Sequence, residues 1–205
     1  MPAHKPVVIL IHGLWMSPIY MKWLGAQLKK AGYHPEYFAY PTVRKDYEKQ
    51  VLRLRENVEQ YVDPVCIVGH SLGGLLAIDA LQGLSVANRF KLVLLGSPVA
   101  GSQVARSLYK HSFGRLILGS GGFRLTQVTK DLPPEVHILS IAGTKPLGLS
   151  RILPGRANIK GDGAVALSEA LPSNYETDSI QVSVNHIGLV FSPCVVTHIV
   201  DYLNR

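Results

Sequence analysis

The apolar run Val65-Cys66-Ile67-Val68 breaks without a spacer into Gly69-His70-Ser71-Leu72-Gly73-Gly74, and then into an apolar helical stretch ending near Gly83. A short continuous apolar run of this kind is expected of a strand buried on both faces. A serine at a sharp strand-to-helix turn is forced into a strained backbone conformation, so the residues two places to either side must be small, as Gly69 and Gly73 are. Its hydroxyl then stands above the sheet at a helix N-terminus, where the helix dipole and the free N–H of the next residue favour negative charge. Ser71 is therefore the candidate nucleophile and the backbone of Leu72 a candidate oxyanion donor.

Around this turn, short β-branched runs alternate with amphipathic helices. Strands are predicted at Val7–Ile11, about 36–39, Val65–Val68, Lys91–Leu95, Val136–Ala142 and Ile180–Val184. Helices are predicted from Ser17-Pro18 to about Ala31, from Asp46 to Asp63-Pro64, from Leu72 to Gly83, and over Pro193–Leu203. The second is the clearest, because Tyr47, Val51, Leu54, Val58 and Tyr61 recur at helical spacing. Such alternation implies an α/β fold, a mainly parallel sheet with helices on both faces. The segment 103–130 carries helical apolar spacing but no strand, and is expected to lie as a flap over the end of the sheet. The length of 205 residues fits one domain.

If the order serine, acid, histidine of the α/β hydrolases, which this elbow resembles, applies here, the acid and the histidine follow the nucleophile in the chain. The histidines after Ser71 that come into question are His111, His137, His186 and His198. His186 follows the sixth strand, on the side where the loops meet the elbow. His137 falls in a strand, His198 in a helix and His111 in the flap. Asp162, in Gly161-Asp162-Gly163, is the candidate acid. Asp178 precedes the sixth strand and so belongs at the opposite edge, while Asp131 reads as a loop residue. His12-Gly13 follows the first strand, and Gly13 lets the backbone approach a reacting oxygen closely. The second oxyanion donor is assigned to Leu14, with Trp15 as the alternative, and His12 to orienting that loop. Trp15, Met16, Tyr20, Leu108, Leu116, Ile117, Leu118 and Phe123 are candidates for an apolar substrate wall.

These pieces resemble the α/β-hydrolase superfamily, and within it small bacterial lipases and esterases. The resemblance is carried by Val8-Ile9-Leu10-Ile11-His12-Gly13, by Gly69-His70-Ser71-Leu72-Gly73-Gly74, by Gly96-Ser97-Pro98-Val99-Ala100-Gly101-Ser102, by Gly161-Asp162-Gly163 and by His186-Ile187-Gly188-Leu189. It implies Ser71, Asp162 and His186 as a catalytic triad, Leu14 and Leu72 as oxyanion donors, and hydrolysis of carboxylic esters with no cofactor or metal. Amides, thioesters and acyl transfer use the same triad. A non-catalytic partner protein of this fold is disfavoured by the presence of all three residues. Two departures stand out: Val99 replaces the histidine usual in that stretch, and six residues before the first strand leave room only for a minimal six-stranded version.

Charge is placed unevenly. The net charge is +7, and no acid occurs between Asp79 and Asp131, a stretch holding Arg89, Lys91, Arg106, Lys110, Arg115, Arg124 and Lys130. These seven bases account for the whole excess. The basic 89–130 segment is expected either to keep the chain soluble or to hold it near an anionic membrane surface that presents a lipid ester. Nucleic acid is not expected, since no binding motif accompanies the charge. Cys66 and Cys194 make neither a disulfide framework nor a zinc spacing, and both are expected to be buried thiols. No apolar run approaches the roughly 20 residues that span a bilayer, and no leader-like segment is evident, which places the expectation in the cytoplasm.

Overall fold

The computed structural model describes residues 7–44, 46–84, 90–129, 131, 136–147, 160–171 and 177–205. Six strands, β1 (Val7–Ile11), β2 (His34–Phe38), β3 (Val65–His70), β4 (Phe90–Leu95), β5 (His137–Gly143) and β6 (Asp178–Val182), form one sheet in the order β2-β1-β3-β4-β5-β6. Every neighbouring pair is parallel. The sheet is thus wholly parallel where the sequence predicts a mainly parallel one. β2 and β6 each begin two residues earlier than predicted and stop short of Ala39 and Val184. Both are edge strands with exposed positions, so the apolar pattern that marks the inner strands is diluted in them.

Parallel strands need crossovers, and the helices supply them. α1 (Lys22–Lys30) and α8 (Pro193–Leu203) cover one face, and α2 (Tyr47–Glu59) and α3 (Leu72–Leu81) the other, while the short α7 (Leu167–Ala170) lies between β5 and β6 in the chain. The first helix does not start at Pro18: Pro18–Met21 is a 3-10 turn, and Ser17 makes no side-chain cap. Asp46 does cap α2, its carboxylate accepting from the Glu48 N–H at 3.1 Å. Nine of the ten residues of α3 are buried, which fits a helix that is apolar all round and lies against the sheet. The core has two halves, one on each face. Ile9, Ile67, Leu75 and Leu92 belong to one half, and Leu10, Leu24, Val68 and Ile199 to the other. Each such fully buried side chain contributes on the order of 2 kcal/mol.

Between β4 and β5 the chain forms three short helices, α4 (Gln103–Tyr109), α5 (Ser112–Leu118) and α6 (Gly122–Thr126). They pack on one another and against α3. The Arg124 guanidinium grips the Asp79 carboxylate on α3 through two bonds of 2.7 and 2.9 Å, and the Tyr47 hydroxyl donates to the same carboxylate at 2.8 Å. Arg106 donates to the Thr126 and Ala100 carbonyls. Lys91 donates to the carbonyls of Tyr202 and Leu203, where the negative end of the α8 dipole favours a cation. Three of the seven bases of the basic stretch are therefore spent inside the fold. Lys110 and Arg115 are exposed, and Arg89 and Lys130 lie outside the described residues. Cys66 is buried as expected, but Cys194 is exposed on the first turn of α8, its sulfur 3.5 Å from His198 Nε2. Among the described residues, no helix is long and apolar enough to cross a membrane.

Candidate active site

All six strands of a parallel sheet point the same way, so their carboxyl ends share one rim, and the candidate residues come from loops on that rim. Ser71 sits at the turn from β3 into α3 with φ 53° and ψ −119°. Serine rarely adopts this conformation, which costs roughly 1–3 kcal/mol and persists only where the surroundings enforce it. Two backbone bonds do so here: the Ser71 N–H donates to the Leu95 carbonyl at 2.9 Å, and the Gly74 N–H to the Ser71 carbonyl at 3.1 Å. The small flanking residues have a geometric reason, since a Cβ on Gly69 would lie 2.5 Å from the Gly74 Cα.

Asp162 and His186 meet at this rim. The His186 Nδ1–H donates to Asp162 Oδ2 at 2.7 Å. The carboxylate's other oxygen accepts from the Ala164 and Val165 N–H groups at 2.9 and 2.8 Å, and the His186 N–H donates to the Asp162 carbonyl at 3.0 Å. The acid is thus locked in its own turn and binds the histidine through side chain and main chain alike. Asp162 is only 1% exposed. Burial pushes its carboxyl up, but the hydrogen bond and charge of His186, together with the two backbone N–H donors, outweigh this and hold it below its ordinary value. Gly96, at φ +58°, closes in from β4: a Cβ there would stand 2.9 Å from Asp162 Oδ2 and 3.1 Å from His186 Nδ1.

The rival residues lie elsewhere. Asp178 opens β6 at the opposite edge and pairs with Arg205. His137 is the exposed first residue of β5, His111 is exposed just before α5, and His198 lies on α8. Asp131 is exposed. His12 is buried, stacks on Tyr40 at 4.7 Å and donates from Nδ1 to the Gly13 carbonyl at 3.1 Å, while the Tyr40 hydroxyl donates to the His12 carbonyl. The His12-Gly13 loop is shaped by these contacts.

Two cavities open onto Ser71 and His186. The cap-side cavity, of about 220 Å³, runs beneath α4–α6. The second, of about 380 Å³, opens between the loops after β1, β5 and β6. Of the predicted wall, Trp15, Leu108, Ile117 and Leu118 line the first, and Trp15, Met16 and Tyr20 the second. Leu116 and Phe123 line neither and correct the sequence reading. Leu116 is 71% exposed, turned away from the face of α5 that buries Leu118, and Phe123, 57% exposed, lies against the Tyr109 ring within the cap. Pro98, Val104, Leu125 and Val165 were missed as lining residues. Val104 and Leu125 lie on short cap helices whose period is too weak to orient from sequence, and Pro98 and Val165 come from the loops after β4 and β5. Val99, the departure from the usual histidine, is packed in the core, 3% exposed.

Sequence reasoning also passed over His70. Its Nε2–H donates to the His186 carbonyl at 3.0 Å, its ring lies 4.6 Å from the His186 ring, and its buried Nδ1 has no hydrogen-bond partner among the described residues. Burial, with the nearby His186 charge, lowers its pKa from 6.5 to about 3. The folded protein therefore resists a proton that the unfolded chain accepts between those values. Stability is complete above pH 6.5 and falls as pH drops toward 3, at about 1.4 kcal/mol per pH unit for this one group. His12 is lowered by burial and adds a loss of the same sign. In urea titrations from pH 7 to pH 4, His70→Gln is expected to flatten the slope by about one proton. An unchanged slope would exclude His70 as a source of acid sensitivity.

A six-stranded parallel sheet with helices on both faces, carrying a strained serine at the β3–α3 turn, defines the α/β hydrolase fold. The chain belongs to the alpha/beta hydrolase family, whose model matches residues 8–174. No curated protein matches it in sequence. Among solved structures it is similar to an esterase from Exiguobacterium antarcticum, at 14% identity and a TM-score of 0.65, covering 98% of this chain and 92% of that one. It is also similar to a monoacylglycerol lipase from Paleococcus ferrophilus (15%, TM-score 0.67, 98% and 94%). A third likeness is to the type II thioesterase of the yersiniabactin biosynthetic pathway (11%, TM-score 0.68, 100% and 95%). At these identities the likeness is one of fold.

Proposed function

We propose that this protein is a serine hydrolase of neutral carboxylic esters, with Ser71 as nucleophile, His186 as general base and acid, and Asp162 as the group that orients it. The observation that carries the reading is the 2.7 Å bond between His186 Nδ1 and Asp162, at the rim where Ser71 and His186 line the same two cavities. With Nδ1–H committed to the carboxylate, His186 Nε2 is left to take a proton.

Ser71 Oγ attacks the acyl carbon as its proton passes to His186, and the carbonyl electron pair moves onto oxygen. The N–H groups of Leu14 and Leu72, which have no protein acceptor among the described residues, receive that oxyanion. Each donor is worth roughly 3 kcal/mol in the transition state. Trp15, the alternative donor, spends its N–H on Thr42 Oγ1 at 3.2 Å, which favours Leu14. The intermediate then collapses, the bond to the alcohol breaks, and His186 returns its proton to the leaving oxygen. Water, deprotonated by His186, attacks the acyl-enzyme and releases the acid and free Ser71.

Neutral esters are favoured over phosphorylated carriers such as acyl-coenzyme A thioesters because no lysine or arginine is among the described residues lining either cavity. A fluorophosphonate probe tests the reading. Mass spectrometry of the treated protein is expected to find one modification, on the peptide carrying Ser71, with ester hydrolysis lost in proportion. Labelling at another residue, or full labelling of Ser71 with activity retained, would contradict it.

A further inference from the structure

The two cavities share Leu14, Trp15, Ser71, Ala164 and His186 and otherwise diverge. Trp15 stands where they part, and it is held there unusually firmly. Apart from Ser71 it is the one non-glycine residue at positive φ among those described, at 59°. Its main-chain N–H is fixed by Thr42, and its indole Nε1–H donates to the Ile117 carbonyl at 2.9 Å. That carbonyl lies in the last turn of α5, where no helical donor remains for it. The indole is nevertheless 62% exposed, so it serves no core. A large aromatic ring that lines both cavities and is tied from the loop after β1 to the cap is suited to divide the space between them.

We propose that Trp15 is a specificity-determining partition that sorts the two halves of an ester. This rests on the serine-hydrolase reading above. The acyl chain enters the cap-side cavity, among Val104, Leu108, Leu118 and Leu125. The alcohol occupies the other, among Met16, Tyr20, Leu147 and Ile187, on the side of the loop that carries His186 and so beside the group that must protonate it. At about 220 Å³ the acyl arm falls below the range of roughly 300–1,000 Å³ usual for small-molecule pockets, whereas the alcohol arm, at about 380 Å³, falls within it. The substrate class is an uncharged ester of a short-to-medium unbranched acid with a bulkier apolar alcohol.

Two ester series test the sorting: p-nitrophenyl esters of lengthening acids, and acetates of lengthening alcohols. Leu108→Trp, which fills the cap-side arm, is expected to lower kcat/KM for the octanoate relative to the butyrate at least tenfold, through KM, with the ranking of the acetates kept. Ile187→Trp is expected to do the reverse. Trp15→Ala joins the arms and raises the decanoate-to-butyrate ratio about tenfold, and Trp15→Phe, which keeps a ring but loses the indole N–H, moves it less. Leu108→Trp acting on the alcohol series, or Trp15→Ala keeping the parental ratio, overturns the proposal.

A readout without turnover accompanies these. Trp23 is the other tryptophan, so in a Trp23→Phe, Ser71→Ala background the emission of Trp15 is expected to shift to the blue as octanoic acid is added. No shift overturns the partition, and this measurement and Leu108→Trp decide the matter if Trp15→Ala does not fold. Should the Ser71→Ala protein keep its esterase activity, the underlying reading fails. Should it lose activity while Trp15→Ala keeps the parental ratio, the sorting alone fails.

Discussion

Replacing Ser71 by alanine is expected to lower kcat for p-nitrophenyl butyrate by about six orders of magnitude, the scale seen when a serine nucleophile is deleted from a preorganised site. The substitution is clean. Alanine keeps the Cβ, so the strain at φ 53° and the close approach of the elbow to its neighbours are unchanged. Ser71 Oγ makes no hydrogen bond to the described residues, so the thermal midpoint should stay where it is. What is lost is the atom that forms the acyl bond in the proposed mechanism. The residual rate comes from the oxyanion donors and from binding alone. Activity within tenfold of the parent, in protein free of parental carry-over, would remove Ser71 from the chemistry.

Asp162→Asn is the second large effect, a fall in kcat of about 10⁴ with little change in KM. The asparagine carbonyl can still accept from the Ala164 and Val165 N–H groups, so the turn survives. Its amide NH₂ then faces His186 Nδ1, where a carboxylate oxygen now sits at 2.7 Å. Two donors cannot share that bond. The ring shifts its proton to Nε2, the nitrogen that, in the proposed mechanism, must be bare to accept one from Ser71. The kinetics of the purified variant with a short p-nitrophenyl ester check this, and a loss smaller than tenfold would assign the tautomer to some other contact.

Much of this architecture was legible because parallel-sheet proteins write their inner strands as continuous apolar runs. β1, β3 and β4 bury nearly every residue, and their runs, bounded by glycine and histidine, could be read directly. Asp162 and His186 were legible for a related reason: each follows a strand in chain order and sits in a short loop beside glycine. What the sequence hid depends on long-range packing. β2 and β6 are edge strands with exposed residues, so their limits slipped. The cap helices are of seven residues or fewer, too short to show which side faces the site, and Leu116 and Phe123 were misplaced for that reason. His70 is hidden in a motif whose neighbouring serine draws the eye, and its bond to the His186 carbonyl crosses 116 positions of chain. The inward turn of Arg124 and Arg106 was hidden too, since local charge density does not disclose which bases bond within the fold.

The grip of Arg124 on Asp79, with Tyr47 on the same carboxylate, has an outcome for how the site admits its substrate. It moors the cap at α6 to the helix that begins at Ser71. A hinged door swinging there would have to break two charged bonds and bare a buried guanidinium. The cap stays seated on the serine's own helix at that end, and both keep still while a substrate enters.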